Sequence, residues 1–172
     1  TWMRRNAHAG DPSQSGVSQL ILGGAYEAIT DWTYHPIRPK VVTFVSYAIP
    51  FGTSIYDTGA NGSAASPAFG TGFQRLTAGA IALKSFHPWD TSLTLEAHRS
   101  IDRTFPGGSS PDFRVSPGYG GSVLANGGRI FGSGAHRAGM RIGYERDQGR
   151  TVESASDSTR GRPQSRISVG LD

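Results

Sequence analysis

Between Trp89 and Asp102 the chain alternates without a break. Thr91, Leu93, Leu95, Ala97, Arg99 and Ile101 fall at one parity; Ser92, Thr94, Glu96, His98, Ser100 and Asp102 fall at the other. Strand side chains point to opposite sides with period two, so the pattern predicts a strand with one mostly apolar and one wholly polar face. Phe73 to Phe86 repeats it more softly, with Leu76, Ala78, Ala80 and Ala82 set against Arg75, Thr77 and Gly79. A tight turn, His87-Pro88-Trp89-Asp90, joins the two. A third clear case lies at 134–146, where Ala138, Met140, Ile142 and Tyr144 alternate with Arg137, Gly139, Arg141, Gly143 and Glu145. The C-terminal run sets Ile167, Val169 and Leu171 against Arg166, Ser168 and Gly170.

Weaker signals complete the series. Strands are predicted near 17–29 and 40–52, the latter with Val41, Val45, Tyr47, Ile49 and Phe51 on one face and Val42, Phe44, Ser46 and Ala48 on the other. A glycine-heavy strand is predicted over 115–126, with Gly127-Gly128 as its hairpin signal. Residues 1–16, 31–39, 54–72, 103–114 and 147–163 read as connections. Seven or eight strands follow, all antiparallel in an up-and-down meander. No window carries a sustained apolar period of 3.6, so no helix is expected.

Composition narrows the choice of β architecture. The 172 residues suffice for one domain with a core, but hydrophobic content is only 36%, with 24 Gly and 10 Pro. That is low for a packed globular domain. A barrel with a polar interior tolerates it better than a sandwich. The longest apolar-rich run, 41–51, is too short for a spanning helix and suits a spanning strand of about 9–11 residues. No cysteine is present, which removes disulfides, thiolate metal sites and cysteine nucleophiles. The formal charge of +4 comes from 15 scattered Arg and Lys40 and Lys84. Nucleic-acid binding, which favours a dense basic face with stacking aromatics, is not expected.

The remaining question is which face is wet. The polar stripes carry Glu96, His98, Arg137, Arg141, Glu145 and Arg166. In a soluble sandwich they face water. In a transmembrane barrel they line the lumen, while Leu93, Leu95, Met140, Ile142, Tyr144, Ile167 and Leu171 face lipid. Small residues on the polar stripes (Gly139, Gly143, Gly170) suit a crowded, curved interior. Long connections at 53–72 and 103–114 around a short turn at 87–90 suit the unequal ends of an outer-membrane barrel. Trp32 and Tyr34, beside a proline-containing turn, suit an aromatic girdle. The expectation is an all-β antiparallel meander forming a transmembrane β-barrel or part of one.

The run FVSYAIPFGTSIYDTGANG…GTGFQRLTAGAIALKSFHPWDTSLTLEAHRSI resembles the bacterial outer-membrane transporters of the phenol-degradation (meta-pathway) type. The matching positions are Pro50, Gly52, Gly70, Gly72, Leu76, Gly79, Lys84, Trp89, Leu93 and Leu95. Gly143-Tyr144-Glu145-Arg146 and the ending Arg166 to Leu171 are similar to that family's last two strands. The resemblance covers roughly 40–172 and implies passive uptake of small hydrophobic or aromatic solutes across a bacterial outer membrane. Members of the family are longer, so it also implies a single barrel domain over 1–172 that lacks the N-terminal strands of its parent. Outer-membrane barrels usually end in an aromatic residue, whereas this chain stops at Asp172, so the last strand is expected to be cut one or two residues short.

Catalytic signals are sparse. The five histidines, at 8, 35, 87, 98 and 136, show no HExxH spacing, and no carboxylate cluster has metal-ligand spacing. No G-x-S-x-G elbow is present. Glu96 and His98 share a strand face on which Ser92 or Ser100 could complete a hydrolase triad. The expected chain is therefore not an enzyme, binds no cofactor or metal, and has a lipid bilayer and a small-molecule solute as partners. In the pore reading, Arg137, Arg141 and Arg166 stand against Glu96, Asp102 and Glu145 and select solutes by charge, size and hydrogen bonding. Two alternatives stay open. One is a soluble β-sandwich of capsid or surface-layer type, with 53–72 and 103–114 as contact loops; the other is an outer-membrane lipid hydrolase.

Overall fold

A computed structural model of the chain describes residues 2–4, 15–30, 35–51, 54, 72–107, 111–132, 136–155 and 157–171. The described residues contain strands and connections and no helix. The strands are β1 (Trp2–Arg4), β2 (Ser15–Val17), β3 (Gln19–Ile29), β4 (Lys40–Pro50), β5 (Arg75–Phe86), β6 (Trp89–Ser100), β7 (Arg103–Phe105), β8 (Phe113–Ser116), β9 (Tyr119–Phe131), β10 (His136–Asp147), β11 (Thr151–Ser154), β12 (Ser158–Arg160) and β13 (Gln164–Leu171).

The seven long strands make one antiparallel sheet in the order β13-β10-β9-β6-β5-β4-β3. Taken from β3, this is a meander in chain order, as the alternation predicts. Connections at one end are short: 30–39, 87–88 and 132–135. Those at the other end are long: 51–74, 101–118 and 148–163. Two of the long ones hold hairpins that combine into a second sheet, β12-β11-β8-β7. β1 and β2 form a separate pair.

Several local expectations need correction. Residues 1–16 are not wholly a loop, because Trp2–Arg4 pairs with Ser15–Val17. The spans 103–114 and 147–163 carry the second sheet; their short apolar pieces, such as Phe113 and Val115, are too brief to show a period. Gly127-Gly128 is no hairpin. β9 runs through it with unbroken register, Gly127 opposite Met140 and Gly128 opposite Gly139. Two glycines signal a turn only where the chain has nothing better to pair with, and here both neighbouring strands extend past them. Trp32, Tyr34, Asp172 and nearly all of 53–72 lie outside the described residues.

The buried apolar core is not in the large sheet. Phe73, Phe105 and Val115 are the buried hydrophobics among the described residues, with Phe113 and Val152 packed against them. Phe105 meets Phe73 edge-on and stacks on Phe113, with centroids 5.6 and 5.8 Å apart. This cluster ties together all three long connections. Large hydrophobics of the main sheet, among them Leu22, Leu93, Leu95, Val123, Met140, Ile142 and Ile167, are exposed.

Exposure along β6 alternates residue by residue, and its sense is inverted relative to a soluble sheet. Leu93 and Leu95 are 41% and 46% exposed, whereas Ser92, Thr94, Glu96, His98 and Ser100 are half-buried. Among the described residues, every pair of elements in substantial contact is a hydrogen-bonded pair, and no strand packs face to face on another. A sandwich requires two apolar faces packed together, and the described residues contain no such pairing.

Candidate functional site on the polar face

Because register fixes which side chains share a face, the strand pairings lay the polar stripes out as rows. Nearest the long connections, one row runs Ser46, Thr77, His98, Gly120, Asp147 and Gln164 from β4 to β13. The next runs Phe44, Gly79, Glu96, Ser122, Glu145 and Arg166. A third holds Val42, Ile81, Thr94, Leu124, Gly143 and Ser168, and a fourth Lys40, Leu83, Ser92, Asn126, Arg141 and Gly170. All six residues expected to line a lumen, Glu96, His98, Arg137, Arg141, Glu145 and Arg166, lie on this single face. Asp102 does not. It sits beyond β6 and receives a 2.7 Å hydrogen bond from Arg114 Nη2.

Charges on the face are largely paired across strands. Lys40 Nζ lies 3.1 Å from Glu27 Oε2. Arg137 reaches Asp90 with Nε at 3.2 and 3.1 Å from the two carboxylate oxygens and Nη2 at 2.8 Å from Oδ2. His98, with its side chain 7% exposed, places Nε2 2.9 Å from Asp147 Oδ1 and Nδ1 3.9 Å from Glu96 Oε1. The His98–Asp147 approach is close but not aligned along the ring N–H, and both Nδ1 and Oδ1 lack a hydrogen-bond partner among the described residues. It is an electrostatic contact rather than a satisfied hydrogen bond.

Two of these pairs bridge β6 and β10 over the strand between them, which requires that strand to be bare. A Cβ on Gly120 would fall 1.9 Å from Asp147 Oδ1 and 2.6 Å from His98 Nε2. A Cβ on Gly128 would fall 2.5 Å from Arg137 Nη2. Glycine content thus serves the polar face directly: the missing side chains are the space in which the ion pairs lie.

Arg141 and Arg166 have no ion-pair partner among the described residues, and both are exposed. Glu145 stands opposite Arg166 in register without forming an ion pair with it. The face carries Lys40, Arg75, Arg137, Arg141 and Arg166 against Glu27, Asp90, Glu96, Glu145 and Asp147, so its formal charges balance, and Arg141 and Arg166 are exposed cations on it without an ion pair among the described residues. On the same face lies an apolar strip made of Val42 and Phe44, which the alternation already placed on one side of their strand, and Ile81 and Leu124, which it left unassigned. Its signal was present in the blurred stretch around Ile81 and Leu83. Asp90, Asp147 and Asn126 were also missed, since each sits where the alternating run fades into a turn or a glycine-rich strand. Asn126 Nδ2 donates to Ser92 Oγ at 2.8 Å.

His98 makes no hydrogen bond to Ser92 or Ser100, and no three acidic or histidine side chains among the described residues are grouped to hold a metal. The opposite face is apolar in its middle and ringed at both ends. Phe86, Trp89, Arg129 and Phe131 stand near the short turns, and Arg99, Tyr119 and Arg146 near the long connections. Arg129 lies 5.5 Å over the Trp89 ring and 5.2 Å over Phe131. Compared with known proteins, the chain matches no protein-family model and no curated protein.

Proposed function

We propose that the seven-stranded sheet is the wall of an outer-membrane β-barrel that passes small hydrophobic or aromatic solutes, with its polar face as the lumen. One observation carries the proposal: along β6 the apolar side chains are exposed and the polar ones half-buried, and no layer among the described residues covers the sheet. Water does not stabilise that arrangement, because apolar area exposed to it costs about 25 cal/mol per Å². Hydrocarbon does stabilise it.

Dimensions agree. From Trp89 to Arg99 at ~3.3 Å per residue, the outward stripe covers ~33 Å along the strand. A tilt of ~45° reduces this to ~23 Å of height, close to the ~25 Å apolar band of outer-membrane barrels. Aromatic residues and arginines bound the stripe at both ends, and long connections gather on one side, as in such barrels. The edges β3 and β13 are where this wall would continue into further strands, since bacterial single-chain barrels have an even number of strands from eight upward. Within the lumen, Arg141 and Arg166 attract an anionic or electron-rich group, and the strip of Phe44, Val42, Ile81 and Leu124 receives an apolar body. The face works by binding and passage and needs no catalytic group.

Two measurements test this. The protein should require detergent and show heat-modifiable gel migration; full solubility without detergent would favour the sandwich. In planar bilayers under a salt gradient, Arg141→Ser with Arg166→Ser should shift the reversal potential toward cation preference. Arg137→Ser alone should shift it less, because it removes one positive charge rather than two. Anion preference unchanged in the double variant would remove these arginines from selectivity.

A further inference from the structure

The apolar face is not uniform. Small side chains on adjacent strands, Ala78, Ala97 and Gly121, leave a groove of about 570 Å³ walled by Leu95, Val123 and Tyr144. Register places a cation at its upper end on each side. Arg146 stands directly opposite Gly121. Arg99 follows Ala97 by two residues on the same face and pairs with Tyr119. The two arginines are one strand apart, with Cα atoms about 12 Å from each other by strand spacing and rise. Both are exposed, and neither has an ion pair among the described residues. The arginine at the other end of the face, Arg129, is instead laid over Trp89 and Phe131.

We propose that this groove is a binding site for a phospholipid of net negative charge, with one acyl chain against Ala78, Ala97 and Gly121 and the phosphate, unneutralised by any ammonium of the headgroup, between Arg99 and Arg146. The inference rests on the membrane reading above and adds to it a specific occupant. Charge complementarity selects that occupant. A neutral lipid or a second copy of this face would leave two guanidinium groups at the hydrocarbon boundary without an anion. A phosphate accepts from both through charge-assisted hydrogen bonds. Tyr119, 64% exposed between the strands that carry them, adds a hydroxyl at headgroup depth. The small side chains along its floor supply the second requirement, because an acyl chain can lie where bulky outward residues would otherwise stand.

The test uses the full chain in nanodiscs of equal phosphatidylglycerol and phosphatidylcholine with identical acyl chains, reading retained lipid by native mass spectrometry. Phosphatidylglycerol should be enriched several-fold over phosphatidylcholine. Arg99→Ser with Arg146→Ser should abolish the enrichment while the protein stays in the disc, and Arg129→Ser should leave it intact. Ala97→Phe, which fills the groove and keeps both arginines, should also abolish it. Millimolar inorganic phosphate should not compete, because the acyl chain contributes. Equal retention of the two lipids, or enrichment that survives either the double arginine variant or Ala97→Phe, would overturn the site. Displacement by inorganic phosphate would overturn the groove's part in it. Failure to enter the disc would instead sink the membrane reading itself, a separate outcome.

Discussion

At the scale of the residue, the polar face depends on absent side chains as much as on charged ones. Gly120 and Gly128 both lie under cross-strand contacts, yet they carry different weights. A methyl at Gly128 displaces a partly exposed Arg137–Asp90 pair, worth about 0.2–1 kcal/mol. Alanine is itself favoured over glycine in a strand by about 0.5–1 kcal/mol. Gly128→Ala should therefore change stability by close to zero, while a double-mutant cycle between Arg137 and Asp90 shows their coupling only in the Gly128 background. Gly120→Ala is different. It forces apart a His98 imidazole with almost no access to solvent, and leaving such a group without electrostatic support costs about 1–3 kcal/mol. Net destabilisation is expected, read as a lower urea midpoint for the folded band on a cold gel. Equal midpoints for the two variants would show that the His98 contact carries no stability. Neither glycine could be assigned from sequence. Gly120 sits in an irregular run, and Gly127-Gly128 imitates a hairpin, because a glycine that makes room leaves the same trace as one that turns.

At the scale of the element, the long strands were legible and the short ones were not. β6 and β10 declare themselves by strict alternation, and the polarity of each stripe also predicts which residues share the polar face. The hairpins β7–β8 and β11–β12 are three or four residues long, too brief for a period, and pair through backbone hydrogen bonds that composition does not encode. Two predictions belong here. Leu95→Arg, on the lipid face, should cost about 2–4 kcal/mol if the position lies near the bilayer midplane, whereas Thr94→Arg, one residue away on the polar face, should be tolerated. Urea titration of both variants in lipid vesicles separates them; equal losses would contradict the assignment of faces. Phe105→Ala should open a cavity costing about 3–5 kcal/mol within the second sheet. Faster amide exchange in β7, β8 and β11, with β5 and β6 unchanged, would show that the sheet over the long connections melts as its own unit.

At the scale of the whole molecule, the proposed barrel divides the labour between two solvents. A small dry core lies in the long connections, where water is the surrounding medium. The large sheet carries no dry core, and its apolar residues look outward. Low hydrophobic content, puzzling for a packed domain, follows from this: one apolar face is needed instead of two. Trp89 gives a direct check. With Trp2 and Trp32 replaced by Phe, its emission should be quenched by lipids brominated along the acyl chain and spared by a water-soluble quencher. The reverse would place the stripe in water. The sequence disclosed the two-sidedness of the sheet but left its sense open, since period two is the same whichever side is wet.

β3 and β13 each have a partner on one side only among the described residues. Outward-directed amides and carbonyls on their free sides are tolerable in water, but each costs several kcal/mol if carried unpaired into hydrocarbon. In the proposed barrel, immersion and the pairing of these edges would therefore occur as one concerted event. A half-entered ribbon has no stable place to rest between the aqueous and the sealed states.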